Sequence, residues 1–201
     1  MDSVGIHARL KSLVADDIGD LVPIELKTGP RDPYVKVKSD RWHDVAKHLR
    51  DDAELRFDFL QCITAVDWPK KNIIEVVYHL WSYPLKHSFV VKAEVPRDNP
   101  VLPSVADLWG AADWNEREQF DLFGVGFSGH PDLRRILNPD DWPGWPMRKD
   151  YKEATAYRGM PTTRPSPLNL LVVYDKASPE AKNPKPPSAA ASDEAQESSD
   201  E

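Results

Sequence analysis

Cysteine is nearly missing from this 201-residue chain. Cys62 stands alone, which excludes an internal disulfide and any iron–sulfur cluster held by several of the chain's own thiolates. Long apolar runs are missing too. None approaches the roughly 20 residues needed to cross a bilayer. The opening MDSVGIHARLKSL reads as neither a secretory signal nor an Arg-rich, acid-poor transit peptide. The expectation is a soluble, intracellular protein that meets a membrane only through other subunits. An excess of positive charge is also lacking: 26 Lys and Arg face 33 Asp and Glu, for a formal net charge of -7. That balance argues against general affinity for nucleic acid or anionic lipid. Finally, there is no GxGxxG, no phosphate loop and no nucleophile paired with a base, so the chain lacks the equipment for nicotinamide, flavin or nucleotide chemistry. No catalytic, cofactor-binding or metal residue of its own is expected.

The length suits one domain with appendages. Ile6, Leu10, Leu13 and Val14 recur at helical spacing, and Asp16 to Asp20 break the pattern. Val22, Ile24 and Leu26 alternate around Pro23 as in an edge strand, and Tyr34 to Lys38 reads as the next strand. Trp42, Val45, Ala46 and Leu49 mark a helix capped by Ser39 or Asp40. Three strands should follow over 56–66, 73–81 and 86–95. In the third, His87, Phe89, Val91, Ala93 and Val95 alternate with Lys86, Ser88, Lys92 and Glu94, the pattern of a sheet packed on one side and wet on the other. The fold class predicted is α+β: a mainly antiparallel sheet packed with helices over 1–124. An extended Pro/Gly-rich arm over 125–175 and a disordered acidic tail over 176–201 should follow. Within the arm, LNLLVVYD (168–175) offers a short strand.

The densest chemistry lies in WNEREQFDLFGVGFSGHPDLRRILNPDDWPGWPMRKDY, residues 114–151. Asn115 is a plausible N-cap and Gly124 a plausible C-terminal cap, which ends a helix near Phe123. Glu116, Phe120 and Phe123 then share a face, so a carboxylate lies on a stripe that two Phe side chains should bury. Such a group needs a partner, and Arg134 and Arg135 are the nearest cations along the chain once Gly124 and Gly129 let it fold back. Arg117 looks outward. Beyond Gly124, repeated Gly and Pro preclude a helix or a central strand. Leu133, Ile136, Leu137, Trp142, Trp145 and Met147 nevertheless need a surface to lie on.

This stretch resembles the signature of the 30-kDa subunit of respiratory complex I, the proton-pumping NADH:quinone oxidoreductase, known in bacteria as its C subunit. The matching residues are Glu116, Arg117, Glu118, Asp121, Phe123, Gly124, Phe127, Gly129, His130, Pro131, Leu133, Arg134, Arg135 and Leu137. Asp141, Trp142, Gly144, Pro146, Arg148, Lys149, Asp150 and Tyr151 continue the pattern. The likeness covers roughly residues 33 to 151. It implies a non-catalytic structural and assembly subunit of the complex's peripheral arm, at the cytoplasmic face of the bacterial membrane. FMN and iron–sulfur clusters would sit on partner subunits. The arm would lie across the neighbouring quinone-site subunit, which is related to hydrogenase large subunits. The signature residues would be partner-binding or structural.

Two other readings compete with it. One is the homologous subunit of a membrane-bound hydrogenase or of a dehydrogenase with another donor. The other is a free-standing metalloenzyme using Glu116, Glu118, Asp121 and His130, against which nearby Arg117, Arg134 and Arg135 could satisfy the acids without metal. His43, His48, His79 and His87 read as packing or surface residues, and Trp109, Trp114, Trp142 and Trp145 as interface anchors.

Overall fold

A computed structural model describes residues 2–14, 17–22 and 32–162. The chain divides into two compact units, Met1–Ala154 and Thr155–Glu201. The first is an α+β domain built on a five-stranded sheet of order β1-β2-β5-β4-β3. Its strands are β1 (Ile18–Val22), β2 (Tyr34–Val37), β3 (Phe59–Trp68), β4 (Ile73–Ser82) and β5 (His87–Pro96). All pairs are antiparallel except β2 with β5. The helices are α1 (Ser3–Leu13), α2 (Trp42–Asp51) and α3 (Gly110–Phe123).

Register explains the core. Val91 on β5 lies opposite Tyr78 on β4 and Val35 on β2, and Tyr78 lies opposite Ile63 on β3. Stepping by two residues therefore puts Val37, Phe89, Ala93, Val95, Ile74, Val76, Leu80 and Ala65 on the same face, and all are buried. A register shift between Leu60 and Cys62 keeps both Leu60 and Ile63 inward. The helices cover this face with Ile6 and Leu10, with Trp42, Val45, Ala46 and Leu49, and with Ala112 and Phe123. The opposite face carries ion pairs, Lys92 to Glu75 at 3.1 Å and Lys36 to Glu94, as the alternation in β5 predicts.

Two expectations near the start need correction. Ile18 to Asp20, read as a break, belong to strand β1, because Lys38 donates its N–H to Asp17 and β1 pairs with β2. The pairing of β2 with β5 is parallel, which a simple meander does not include. The proposed edge strand runs on into residues 23–31, which lie outside the described residues, as do LNLLVVYD and the acidic tail.

After β5 come β6 (Val101–Pro103) and a turn at 105–108, and β7 (Gly126–Ser128) follows α3 and pairs parallel with β6. In the second unit, β8 (Ala156–Tyr157) and β9 (Met160–Pro161) form a hairpin turned by Arg158 and Gly159, both at positive φ.

Candidate functional site

Helix α3 begins at Gly110, not at Asn115. The Asn115 side chain instead donates to the Ala111 carbonyl at 2.7 Å, a bond inside the helix that its sequence neighbourhood does not announce. The other end is as expected: Gly124 is left-handed (φ 72°, ψ 33°) and its N–H caps the Phe120 carbonyl.

The buried stripe of α3 is Ala112, Glu116, Gln119 and Phe123. Phe120 turns instead toward the arm and meets the edge of Trp145 at 5.6 Å between ring centroids. Two polar side chains thus sit in the middle of the packed stripe, and each is matched. Gln119 accepts from the Ala65 N–H at 2.9 Å and donates to the Ile63 carbonyl at 3.0 Å, so one amide satisfies both backbone groups along the outer edge of β3. Glu116 accepts from Ser104 Oγ at 2.6 Å and from the Val105 N–H at 2.8 Å. Burial pushes its pKa up to about 7, against the pull of those two bonds, with Asp107 and Asp113 adding to the rise.

The expected Arg134 or Arg135 partner for Glu116 is therefore not what the chain uses. Neutral donors meet an acid that burial keeps close to protonation, and the nearest basic group is His130 Nε2 at 3.9 Å. His130 is itself enclosed. Its Nδ1 accepts from the Asp132 N–H at 3.0 Å and its Nε2 lies 3.2 Å from the Asp113 carbonyl oxygen. An acceptor Nδ1 puts the ring proton on Nε2, where it donates to Asp113.

Arg135 serves Asp121 instead. This carboxylate is fully buried and accepts from Arg135 Nη1 (3.1 Å), from the N–H groups of Ile136 (3.1 Å), Leu137 (2.6 Å) and Asn138 (2.8 Å), and from Asn138 Nδ2 (2.9 Å). Burial alone would raise its pKa, but the Asn138 donors and then the Leu137 and Ile136 N–H groups hold it below the ordinary carboxylate value. Three successive amides folded around one anion fix the path of the arm where it leaves His130 and Pro131. Arg135 continues to the Gly144 carbonyl at 3.0 Å and stacks over Trp145 at 4.6 Å. Arg134, by contrast, is exposed and paired with Asp132.

The arm then returns to the C-terminus of α3. Met147 N–H reaches the Leu122 carbonyl at 3.1 Å and Arg148 Nε the Phe123 carbonyl at 2.7 Å, supplying donors and a cation to carbonyls a helix leaves unpaired. Trp145 lies over Gly124 so closely that an added Cβ would come within 2.4 Å of its ring. Finally, Asp67, buried on the inward face of β3, binds Arg97 through both oxygens (2.8 and 3.2 Å) and accepts the Lys149 N–H at 2.9 Å, while Arg97 also pairs with Asp150. Trp142 closes the segment with a bond from its indole N–H to the Tyr151 hydroxyl at 3.1 Å.

Arg117, read as outward-facing, is only 4% exposed, with its guanidinium 4.8 Å over the ring of Trp114. Trp109 is equally enclosed and donates to the Phe57 carbonyl at 2.8 Å, so it anchors the core rather than an interface. Glu116 faces Ser104 while Asp121 faces the arm, and Glu118 is half-buried beside Gln119. Among the described residues no group of three His, Cys, Asp or Glu side chains could hold a metal. Sequence reasoning passes over Asp67, Arg97, Gln119 and Asn138, and reads Ser104 only as the cap of a helical turn. Only Asp67 carries a signal, its inward phase with Ile63 and Ala65.

The family model described as "Respiratory-chain NADH dehydrogenase, 30 Kd subunit" matches residues 35–157. The C subunit of the NADH-quinone oxidoreductase of Chloroherpeton thalassium is 40% identical over 156 residues, 77% of this chain and 64% of that protein. This chain therefore spans a little under two thirds of that relative's length. A protein of Acidiphilium cryptum, named as the combined C/D subunit of an NADH-quinone oxidoreductase, is 39% identical over 152 residues, 70% of this chain and 26% of its own. Among solved structures, a trypsin-resistant fragment of Nqo5 superposes with a TM-score of 0.51 at 33% identity, covering 64% of this chain and 98% of the fragment. Since the family model spans more than half of the sequence and takes in every residue of the latch just described, the chain belongs to the 30-kDa subunit family of the respiratory-chain NADH dehydrogenase.

Proposed function

We propose that this chain is a non-catalytic structural and assembly subunit in the peripheral arm of a proton-translocating NADH:quinone oxidoreductase, held at the cytoplasmic face of the membrane by its partner subunits. In this reading NADH oxidation, FMN and the iron–sulfur centres belong to those partners. The principal partner is the quinone-site subunit related to hydrogenase large subunits. The observation that carries the reading is where the signature residues point. Asp121, Arg135, Arg148, Glu116 and His130 aim their polar groups at this chain's own backbone and side chains, which suits residues that shape a surface rather than turn over a substrate. The match to a relative named as a combined C/D subunit, in which this unit is about a quarter of the protein, supports a D subunit as the immediate neighbour. The NADH-quinone name carried by relatives at about 40% identity favours this donor over the hydrogenase alternative. On this proposal the domain, residues 1–124, sits outermost while the arm, 125–175, meets the partner.

The test is complementation of a strain deleted for this chain. Restoring the chain should restore NADH:quinone activity and assembly together, while the isolated chain carries no flavin, iron or NADH-dependent absorbance. A substitution that leaves the complex fully assembled yet abolishes quinone reduction, with the lesion confined to this chain, would refute the non-catalytic role.

A further inference from the structure

The latch around Asp121 does more than hold the arm down. By tying the N–H groups of Ile136, Leu137 and Asn138 to one carboxylate, it fixes the Leu137 side chain in solvent at 62% exposure. Across from it stands Trp114, also 62% exposed, its ring backed by the buried Arg117 guanidinium. Between them runs a groove of about 240 Å³ lined by Trp114, Asn115, Glu118, Ile136 and Leu137. Drug-sized ligands take sites of roughly 300–1,000 Å³, so the space suits one or two side chains of a protein better than a small molecule. Two large apolar groups held rigidly in water are costly unless something covers them.

The charge of the walls narrows the occupant. Glu118 is not in an ion pair with any cation among the described residues, and its only hydrogen-bond partner there is the neighbouring Gln119 amide at 3.4 Å. The nearby cations are spoken for: Arg117 lies under Trp114, Arg134 is paired with Asp132 and Arg135 with Asp121. The groove thus joins the apolar side chains of Trp114, Ile136 and Leu137 to one carboxylate without a counter-ion among the described residues. That combination fits a segment presenting an apolar side chain next to a Lys or Arg.

Resting on the assembly reading above, we infer that this groove is a docking site for the partner subunit. A partner side chain of the Leu, Ile, Met or Phe type seats between Trp114 and Leu137, and an adjacent Lys or Arg pairs with Glu118. The aromatic anchor, its cationic backing and the tied-down loop are preorganised, which lowers the ordering cost of binding.

The experiment uses the full chain, affinity-tagged, in its native host. Wild-type chain should bring down the oxidoreductase subunits with NADH:quinone activity; failure at this step refutes the assembly reading itself. Given that, Leu137→Gln and Glu118→Lys should each lower the recovered partner about tenfold or more, with the thermal midpoint of the isolated variants unchanged. Tyr83→Gln, equally exposed but on the far turn between β4 and β5, should leave recovery as in wild type. A photo-crosslinking residue at position 137 should join the hydrogenase-like subunit at an apolar residue neighbouring a Lys or Arg. Wild-type recovery by both groove variants would overturn the inference. So would a crosslink confined to this same chain or to a second copy of it.

Discussion

Replacing Asp121 by Asn keeps the size of the side chain and removes its charge, so it isolates what the anion does. The three backbone N–H groups at 136–138 converge on Oδ2, and Arg135 and Asn138 Nδ2 converge on Oδ1. A carboxamide can present oxygen to one of these sets only. Its NH2 group then faces donors, and whichever way it turns the nearly enclosed Arg135 guanidinium loses its counter-ion. Removing one partner of a buried pair costs about 3 to 5 kcal/mol. For a domain of this size each kcal/mol moves the thermal midpoint by about 2 to 4 °C. Asp121→Asn should therefore lower the midpoint by roughly 6 to 20 °C. It should also expose residues 134–150 to protease while the sheet core persists. The pH dependence follows from the same bonds. The carboxyl is held below its ordinary value in the folded chain, so its contribution is fully present above the unfolded pKa of about 3.9. It is lost as pH falls below that value through the folded one. Differential scanning fluorimetry of wild type and variant at pH 7 and pH 3 checks both parts. A shift below about 3 °C at pH 7, or a difference between the proteins that does not shrink at pH 3, would refute the role given to the anion.

Glu116→Gln should be close to neutral near pH 4, where the acid is protonated, and more stable than wild type at pH 7, because a carboxamide can accept from the Val105 N–H and donate to Ser104 Oγ without burying a charge. The folded acid is raised to about 7, so wild type loses stability between about pH 4.5 and pH 7 as the unfolded chain releases a proton that the folded chain keeps. By chemical denaturation the variant should lack this loss, on the order of 3 kcal/mol. Gln119→Leu leaves the Ala65 N–H and the Ile63 carbonyl buried without partners and should cost about 2 to 6 kcal/mol, from roughly 1 to 3 per group. An unchanged denaturation midpoint would show that water replaces the amide. Gly124→Ala meets both a positive φ and the Trp145 ring at 2.4 Å. It should cost roughly 2 to 5 kcal/mol in strain and overpacking and alter the Trp emission spectrum, and wild-type emission with wild-type stability would count against that packing.

Much of the scaffold is readable from one-dimensional pattern. The period of two in β5 and the 3.6-residue period of Trp42, Val45, Ala46 and Leu49 name the faces that are buried, and Gly124 marks the end of α3, because these signals are local. The start of α3 escapes such reading, since Asn115 bonds within the helix as readily as it could cap one. The parallel neighbour of β2 depends on a connection through α2, β3 and β4 that no local period reports. Electrostatic pairing is the least legible part. Sequence proximity ranks Arg134 and Arg135 first for Glu116, yet Ser104 and Val105, twelve and eleven residues upstream, take that place, and Asp121 collects the arginine.

The side chain of Gln119 bears on the life of the chain before it meets any partner. The outer strand of a sheet is a template on which another copy can add a strand of its own, and a subunit waiting for assembly is exposed to that hazard. Here one buried amide fills the bonding positions at Ile63 and Ala65, midway along the ten-residue β3. The opposite edge, β1, covers five of the described residues and has an irregular register. With the positions at Ile63 and Ala65 filled, the middle of β3 offers no free backbone pair on which a second copy could start a strand.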